Sequence, residues 1–242
     1  MANHVVLNNV EHKHLHIAPD RAEAYGDRVM CTLTFPDEFR SVQAHYPIFF
    51  RKAEDGSFQS LAMFGFEEGE NLFLTDDGWD AHYVPLTIER QPFLIGFQQR
   101  EGETSASPIV HIDMDSPRIV ASDVEGAEPV FLEHGGYTDY LNRISEVLAT
   151  IHDGFQRGEA FNQVLREHDL LESFTLDVEL NDGSQYRLGG FYTVNEEKLH
   201  ALDGTVLSEL SESGYLACLY MAIASLSQIR ALIERRNQQL EG

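Results

Sequence analysis

Residues 46–74 read YPIFFRKAEDGSFQSLAMFGFEEGENLFL, and the spacing of apolar runs and turn residues in this stretch decides the fold class. Pro47 biases the residue before it away from helix, so a strand is expected from Ile48 to Arg51. Glu54-Asp55-Gly56-Ser57 carries the Asp-Gly signature of a tight hairpin. Phe58 to Phe66 is dense enough in apolar residues for a strand buried on both faces. Gly65 and Gly69 bracket a second reversal, with a short strand from Asn71 to Leu74 after it. The expectation is a three-stranded antiparallel meander.

Just beyond it, Asp76-Asp77-Gly78 is another turn and delivers Trp79, the only tryptophan of the chain. Tyr83, Leu86 and Arg90 are spaced to share a helical face, between Pro85 and Pro92. The aromatic density of residues 46–93 makes this the candidate ligand-binding stretch. Tyr46, Trp79 and Tyr83 offer flat apolar surface with polar tips, and Arg90 offers a fork for a carboxylate. Asn71 and Arg90 are the least core-like of the five. Most of the aromatics are expected in the core of the sheet.

Toward the N-terminus, residues 4–17 alternate as an extended strand, which would set His12, His14 and His16 on one face. Val29 to Phe35 alternates in the same way, and Pro36 opens a short helix to about Ala44. Toward the C-terminus, Phe93–Gln98 and Pro108–Asp113 read as strands around a polar loop at Glu101–Ser105. Residues 116–136, with Pro117, Gly126, Pro129, Gly135 and Gly136, read as an irregular connector with a short strand at Pro129–Leu132. Thr138 caps a helix that Gly158 closes, and a second helix follows from Glu159 to His168. Phe174–Leu180 and Tyr186–Val194 flank Asn181-Asp182-Gly183-Ser184, a hairpin. Asn195 and Asp203 cap short helices, and Ser213 caps a last, longest one whose Glu234–Asn237 tail faces solvent.

The fold class expected is therefore α+β, as one domain over residues 1–242 with a sub-boundary near 116–136. Residues 1–115 form the sheet-rich part, and 137–242 the helical part with its hairpin.

Forty acids against seventeen bases give a formal net charge of −23. Such a surface repels phosphate backbones and anionic lipid, so neither nucleic acid nor an anionic membrane is an expected partner. The charge is read first as solubility in a salty cytoplasm, with attraction of a basic partner as the second reading. No basic-then-apolar leader is read at Met1–Leu7, and the apolar run Leu216–Leu226 is short of the ~20 residues of a membrane helix. The expectation is a soluble, cytoplasmic protein with no membrane span. Cys31 and Cys218 lie far apart, and Cys218 is expected as a buried thiol. No phosphate-binding glycine loop, no G-x-S-x-G elbow and no Cys-His pair is present.

Two histidine patterns carry metal chemistry. His12 and His14 could grip one ion from a strand face. His111-Ile112-Asp113 supplies two of the three ligands of a facial triad, with His134, His152, His168 or His200 as the third. Neither is favoured over a polar strand face, and no cofactor is expected from the main reading. Iron belongs to the alternative.

The order of several motifs resembles the bacterial SapC family, named for a surface-layer-associated protein. They are His12 with Leu15, Glu38-Phe39, Tyr46-Pro47-Ile48, Gly69-Glu70-Asn71-Leu72-Phe73, Gly78-Trp79, Tyr83-Val84-Pro85, Arg90 with Pro92-Phe93, and Gly190 to Leu199. Val194-Asn195-Glu196 stands where the family has an acidic Ile-Asp-Glu, and His111-Ile112-Asp113 where a less polar strand is expected. The resemblance implies no established activity. It implies an accessory or binding role in a surface-layer or outer-membrane uptake or modification system, beside halogenase-like or cupin-like proteins. The alternative is a non-haem iron, 2-oxoglutarate-type oxygenase using His111 and Asp113. An obligate complex through the 213–236 helix is a further reading.

Overall fold

The computed structural model describes residues 3–98 and 107–241, so the polar loop expected at Glu101–Ser105 lies outside the described residues. The strands and helices follow in this order. β1 (His4–Val6), β2 (His16–Ile17) and β3 (Cys31–Thr34) precede a 3-10 turn at Pro36–Glu38 that leads into α1 (Phe39–Val42). β4 (Ile48–Lys52), β5 (Phe58–Met63), β6 (Leu74–Thr75) and β7 (Gly78–Trp79) follow, then α2 (Leu86–Glu89), β8 (Phe93–Gln98) and β9 (Ser107–Asp113). After β10 (Ile119–Val120) and β11 (Glu128–Pro129) comes the long helix α3 (Asp139–Glu167). β12 (Leu171–Glu179), β13 (Gln185–Val194), α4 (Glu196–His200), α5 (Gly204–Glu212), α6 (Tyr215–Ser225) and α7 (Gln228–Glu241) complete the chain. The class is α+β with antiparallel sheets.

The chain divides into two compact units. Unit 1 holds residues 1–27, 74–79 and 86–153, and unit 2 holds 28–73, 80–85 and 154–242.

In unit 1, β1, β9 and β8 form one antiparallel sheet and β10, β2 and β11 another. Ile17, Phe93, Ile112, Leu141 and Ile144 meet in its apolar core. Thr138 starts α3 as expected, its hydroxyl oxygen accepting from Leu141 N at 3.2 Å.

Unit 2 is built on a five-stranded sheet in the order β12-β13-β4-β5-β3. β4 and β5 pair across the Asp-Gly turn, with Gly56 at φ +84° and Asp55 accepting from Ser57 N. The partner on the far side of β5 is β3, in register Leu33↔Leu61, and not the Asn71–Leu74 segment. The expected meander is therefore two-stranded. Asn71–Phe73 is held instead by a backbone bond back toward β5, Leu72 N donating to the Phe64 carbonyl at 2.8 Å, and by a turn in which Asn71 Oδ1 accepts from Phe73 N at 3.0 Å. β12 and β13 form the expected hairpin, and Tyr192 of β13 faces Phe50 of β4.

Edge-to-face rings fill the interior of unit 2. Phe39 meets Phe50 and Phe161, and Tyr46 meets Phe64 and Phe73. α6 is pinned to the sheet by Ser225, whose hydroxyl accepts from Ile48 N at 2.8 Å.

Four other expectations change. Residues 4–17 are not one strand: a turn at residues 9–14 separates β1 from β2, so His12, His14 and His16 share no strand face. The helices expected on either side of Gly158 are one, α3, which Phe35 packs against closely at Gly154. The last helix is not capped by Ser213. α6 starts after Gly214 at φ +80°, with no side-chain cap, and α3 is the longest helix.

The arginines near the C-terminus are tied down rather than solvent-facing. Arg235 pairs with Asp80 at 2.6 Å and lies over the Phe73 ring, and Arg236 donates to the Tyr186 hydroxyl at 2.9 Å. Helical structure continues past Leu226, so Tyr215–Glu241 is long and apolar enough, by length and composition, to cross a membrane. Leu219, Ala222, Ser225 and Leu232 within it are buried in the protein.

Candidate functional site

The five residues expected at a ligand site fall in two units. Tyr46, Asn71 and Tyr83 belong to unit 2, and Trp79 and Arg90 to unit 1.

Within unit 2 the three side chains make internal bonds. The Tyr46 ring is fully buried and its hydroxyl donates to the Tyr83 carbonyl. The Tyr83 hydroxyl donates to Glu38 Oε1 at 2.8 Å, and Thr34 Oγ1 donates to Glu38 Oε2 at 2.6 Å. A carboxylate buried without donors would be costly, and two hydroxyls answer that here. Asn71 is buried, and its side chain shapes the turn described above.

In unit 1, Arg90 Nη1 donates to the Phe93 carbonyl at 2.6 Å, and burial lowers its pKa. Among the described residues no carboxylate pairs with it. Its role as a fork for an acidic group is neither filled nor blocked within the unit.

Trp79 opens onto a cavity of about 600 Å3 in unit 1. One wall is the 19–22 segment with Tyr25, and the other is Asp76-Asp77-Gly78-Trp79. β6 and β7 make this second wall a two-stranded tip, in register Leu74↔Trp79 and Thr75↔Gly78, with Gly78 at φ +103°.

The first wall is held by a buried ionic knot. Asp27 Oδ2 accepts from Arg118 Nη2 at 2.5 Å, and both side chains are almost wholly buried. Arg118 Nη1 reaches the carbonyls of Ala18 and Asp20 at 3.0 and 2.9 Å, so one guanidinium spans the segment. Arg21 lies 3.5 Å from the other Asp27 oxygen and donates to the carbonyls of Ile88 and Glu89. Its pKa is lowered, by burial first and by Arg118 second. The Arg118 guanidinium also stacks over the Tyr25 ring at 5.7 Å.

The chemistry of the cavity follows. Asp20, Asp76 and Asp77 are exposed carboxylates, and Tyr25 and Trp79 are half-buried rings. Arg21, the one cation in the lining, is committed to Asp27 and two carbonyls. Aromatic faces next to free carboxylates bind cations. No nucleophile-base pair stands in this lining. Of its members, only Trp79 and its Asp-Asp-Gly turn stand out in the sequence; Asp20 lies in a loop and Tyr25 in the 3-10 turn Glu23–Tyr25, neither with a motif.

The histidine patterns resolve differently. His12 is buried in the turn that follows β1, and its Nδ1 accepts from Asn8 N at 3.1 Å. His14 donates no strand-face ligand beside it; its carbonyl is bonded to the His16 ring. Pairing of β1 with β9 places His4 opposite Asp113, on the face that also carries His111. Yet Asp113 Oδ1 accepts from Asn3 N and Asp115 N, and the His111 ring lies over Gly96. Among the described residues no three His, Cys, Asp or Glu side chains gather as a group that could hold a metal ion. The residues that would hold iron therefore do not fit it in this arrangement. Both cysteines are free and half-buried, and burial raises both thiol pKa values.

In comparison with known proteins, the sequence model of the SapC family matches residues 7–232. No curated protein and no solved structure matches the chain.

Proposed function

The chain belongs to the SapC family, and we propose that it acts as a non-catalytic accessory protein that captures a basic segment of a partner protein in the unit 1 cavity. The observation that carries this is the lining itself: Trp79 and Tyr25 beside Asp20, Asp76 and Asp77, with the only cation committed elsewhere. A lysine or arginine side chain lays its alkyl stem on the rings and its charge against the carboxylates. Each exposed pair contributes at most about 1 kcal/mol, so affinity needs several together. The net charge of −23 speeds the encounter with a basic partner and repels acidic ones.

An accessory role suits the family's association with surface-layer and outer-membrane uptake or modification systems. Halogenase-like or cupin-like proteins are candidate partners by that association, met by a soluble protein in the cytoplasm. The test is calorimetric titration with an amidated peptide containing two arginines. Wild type binds it, and the Asp76→Asn/Asp77→Asn double variant binds it at least about tenfold more weakly. Equal binding by both proteins would reject the cavity as the site.

A further inference from the structure

Unit 2 has a cavity of its own, of about 300 Å3, between β3, β5 and the part of α3 from Gly154 onward. Its apolar wall is Phe35, Pro36, Phe58 and Phe155. Phe155 remains 37% exposed, and its ring stands edge-on to Phe35 with centroids 5.4 Å apart.

Two glycines one helical turn apart shape this wall, for different reasons. A Cβ at Gly154 would lie 2.2 Å from the Phe35 ring, so packing requires glycine there. A Cβ at Gly158 would meet only Pro36 Cδ, at an ordinary 3.7 Å. Glycine inside a helix is less favourable than alanine. At Gly158 no steric need offsets that cost, and what glycine does there is keep the cavity open.

The polar lining separates into spent and unspent groups. Thr34 donates to Glu38, Ser57 donates to Asp55, and Gln59 accepts from Arg51. Ser60, Asn162 and Glu159 make no side-chain hydrogen bond among the described residues. Glu159 is the one charged residue in the lining.

We propose that this cavity binds a small aromatic amine, with its ring on the phenylalanine wall and its ammonium at Glu159. The volume is at the lower end for ligand sites and suits one ring with a short chain. Aromatic walls supply the apolar contact, Ser60 and Asn162 supply neutral hydrogen-bonding ends, and Glu159 selects the charge. An anionic aromatic acid meets repulsion from Glu159 and from the overall charge. This site is separate from the unit 1 cavity and does not depend on it.

The experiment titrates the full chain by NMR with 2-phenylethylamine, its neutral isostere 2-phenylethanol and its anionic counterpart 3-phenylpropionate. The amine binds saturably, the alcohol about fivefold more weakly and the acid at least about tenfold more weakly. Gly158→Leu, which fills the cavity, abolishes binding of the amine. Glu159→Gln, an exposed substitution that keeps the fold, lowers amine affinity to that of the alcohol. In Asp76→Asn/Asp77→Asn, where the unit 1 carboxylates no longer attract a cation, saturable amine binding persists and is still abolished by Gly158→Leu, which separates this site from the unit 1 cavity. Absence of saturable binding, acid binding as strong as amine binding, or amine binding unchanged by both Gly158→Leu and Glu159→Gln overturns the proposal.

Discussion

The Tyr83 hydroxyl donates to Glu38 Oε1 at 2.8 Å, joining two residues forty-five positions apart around a buried carboxylate. Tyr83→Phe removes a donor to a charged group and is expected to cost about 2 kcal/mol of stability. Urea unfolding measures it. Glu38→Gln keeps the volume and should cost less than Glu38→Ala, because an amide oxygen still accepts from Thr34 or Tyr83. Peptide binding in unit 1 should be unchanged in all three variants. Their full stability would show that the buried hydroxyl–carboxylate chain contributes nothing net.

Asp27 neutralises two guanidinium groups, Arg118 and Arg21. Asp27→Asn leaves Arg118 buried without a counter-charge and weakens the partner of Arg21, and should destabilise by about 3–5 kcal/mol. The same variant should loosen the 19–25 wall of the cavity, so hydrogen exchange of Tyr25 and Ala22 should rise before global unfolding. Exchange unchanged at those amides would mean that the knot does not hold the wall.

Burial, more than any neighbour, pushes the Tyr140 hydroxyl up to about 12, whereas the unfolded chain titrates near 10. The protonated form is thus favoured in the folded state. Stability from this group is complete below pH 10 and is lost as pH rises to about 12, by roughly 3 kcal/mol in all. Tyr140→Phe should flatten that limb of the stability–pH curve. A limb of unaltered slope would assign the loss to other groups.

Gly154→Ala and Gly158→Ala should have opposite signs although they are the same change on the same face of α3. The first forces a methyl to within 2.2 Å of the Phe35 ring and should cost about 1–3 kcal/mol. The second makes only an ordinary contact with Pro36 Cδ, at 3.7 Å, and should gain roughly 0.5–1 kcal/mol from helix propensity. Thermal unfolding of the two variants reads the difference. Equal shifts would contradict the packing described at Phe35.

These glycines show where sequence reading stops. Gly158 ends a helix by local rules, yet α3 runs through it, with Phe35, from the turn after β3, packed one helical turn earlier against Gly154. Hairpins β4–β5 and β12–β13 were legible because turn chemistry is local, as were the caps Asn195 and Asp203, which accept from Lys198 N and Thr205 N. The pairing of β3 with β5 was not, since it depends on a contact across intervening chain. At the candidate site, Trp79 stood out as an aromatic after a turn. Tyr25 and Asp20 did not, because their place in the cavity comes from Arg118, a residue about a hundred positions away.

Protein purified without chelator should hold iron well below one ion per chain, because Asp113 caps a turn and His111 lies on Gly96. Stoichiometric iron lost on His111→Ala would favour the oxygenase reading over the accessory one.

Trp79 is the only tryptophan of the chain, so its emission reports on the unit 1 cavity alone. Titration with a two-arginine amidated peptide should shift that emission saturably. The apparent affinity should fall steeply with added salt and be lost in Asp76→Asn/Asp77→Asn. An emission that stays constant, or that responds equally to an acidic peptide of the same length, would contradict the account.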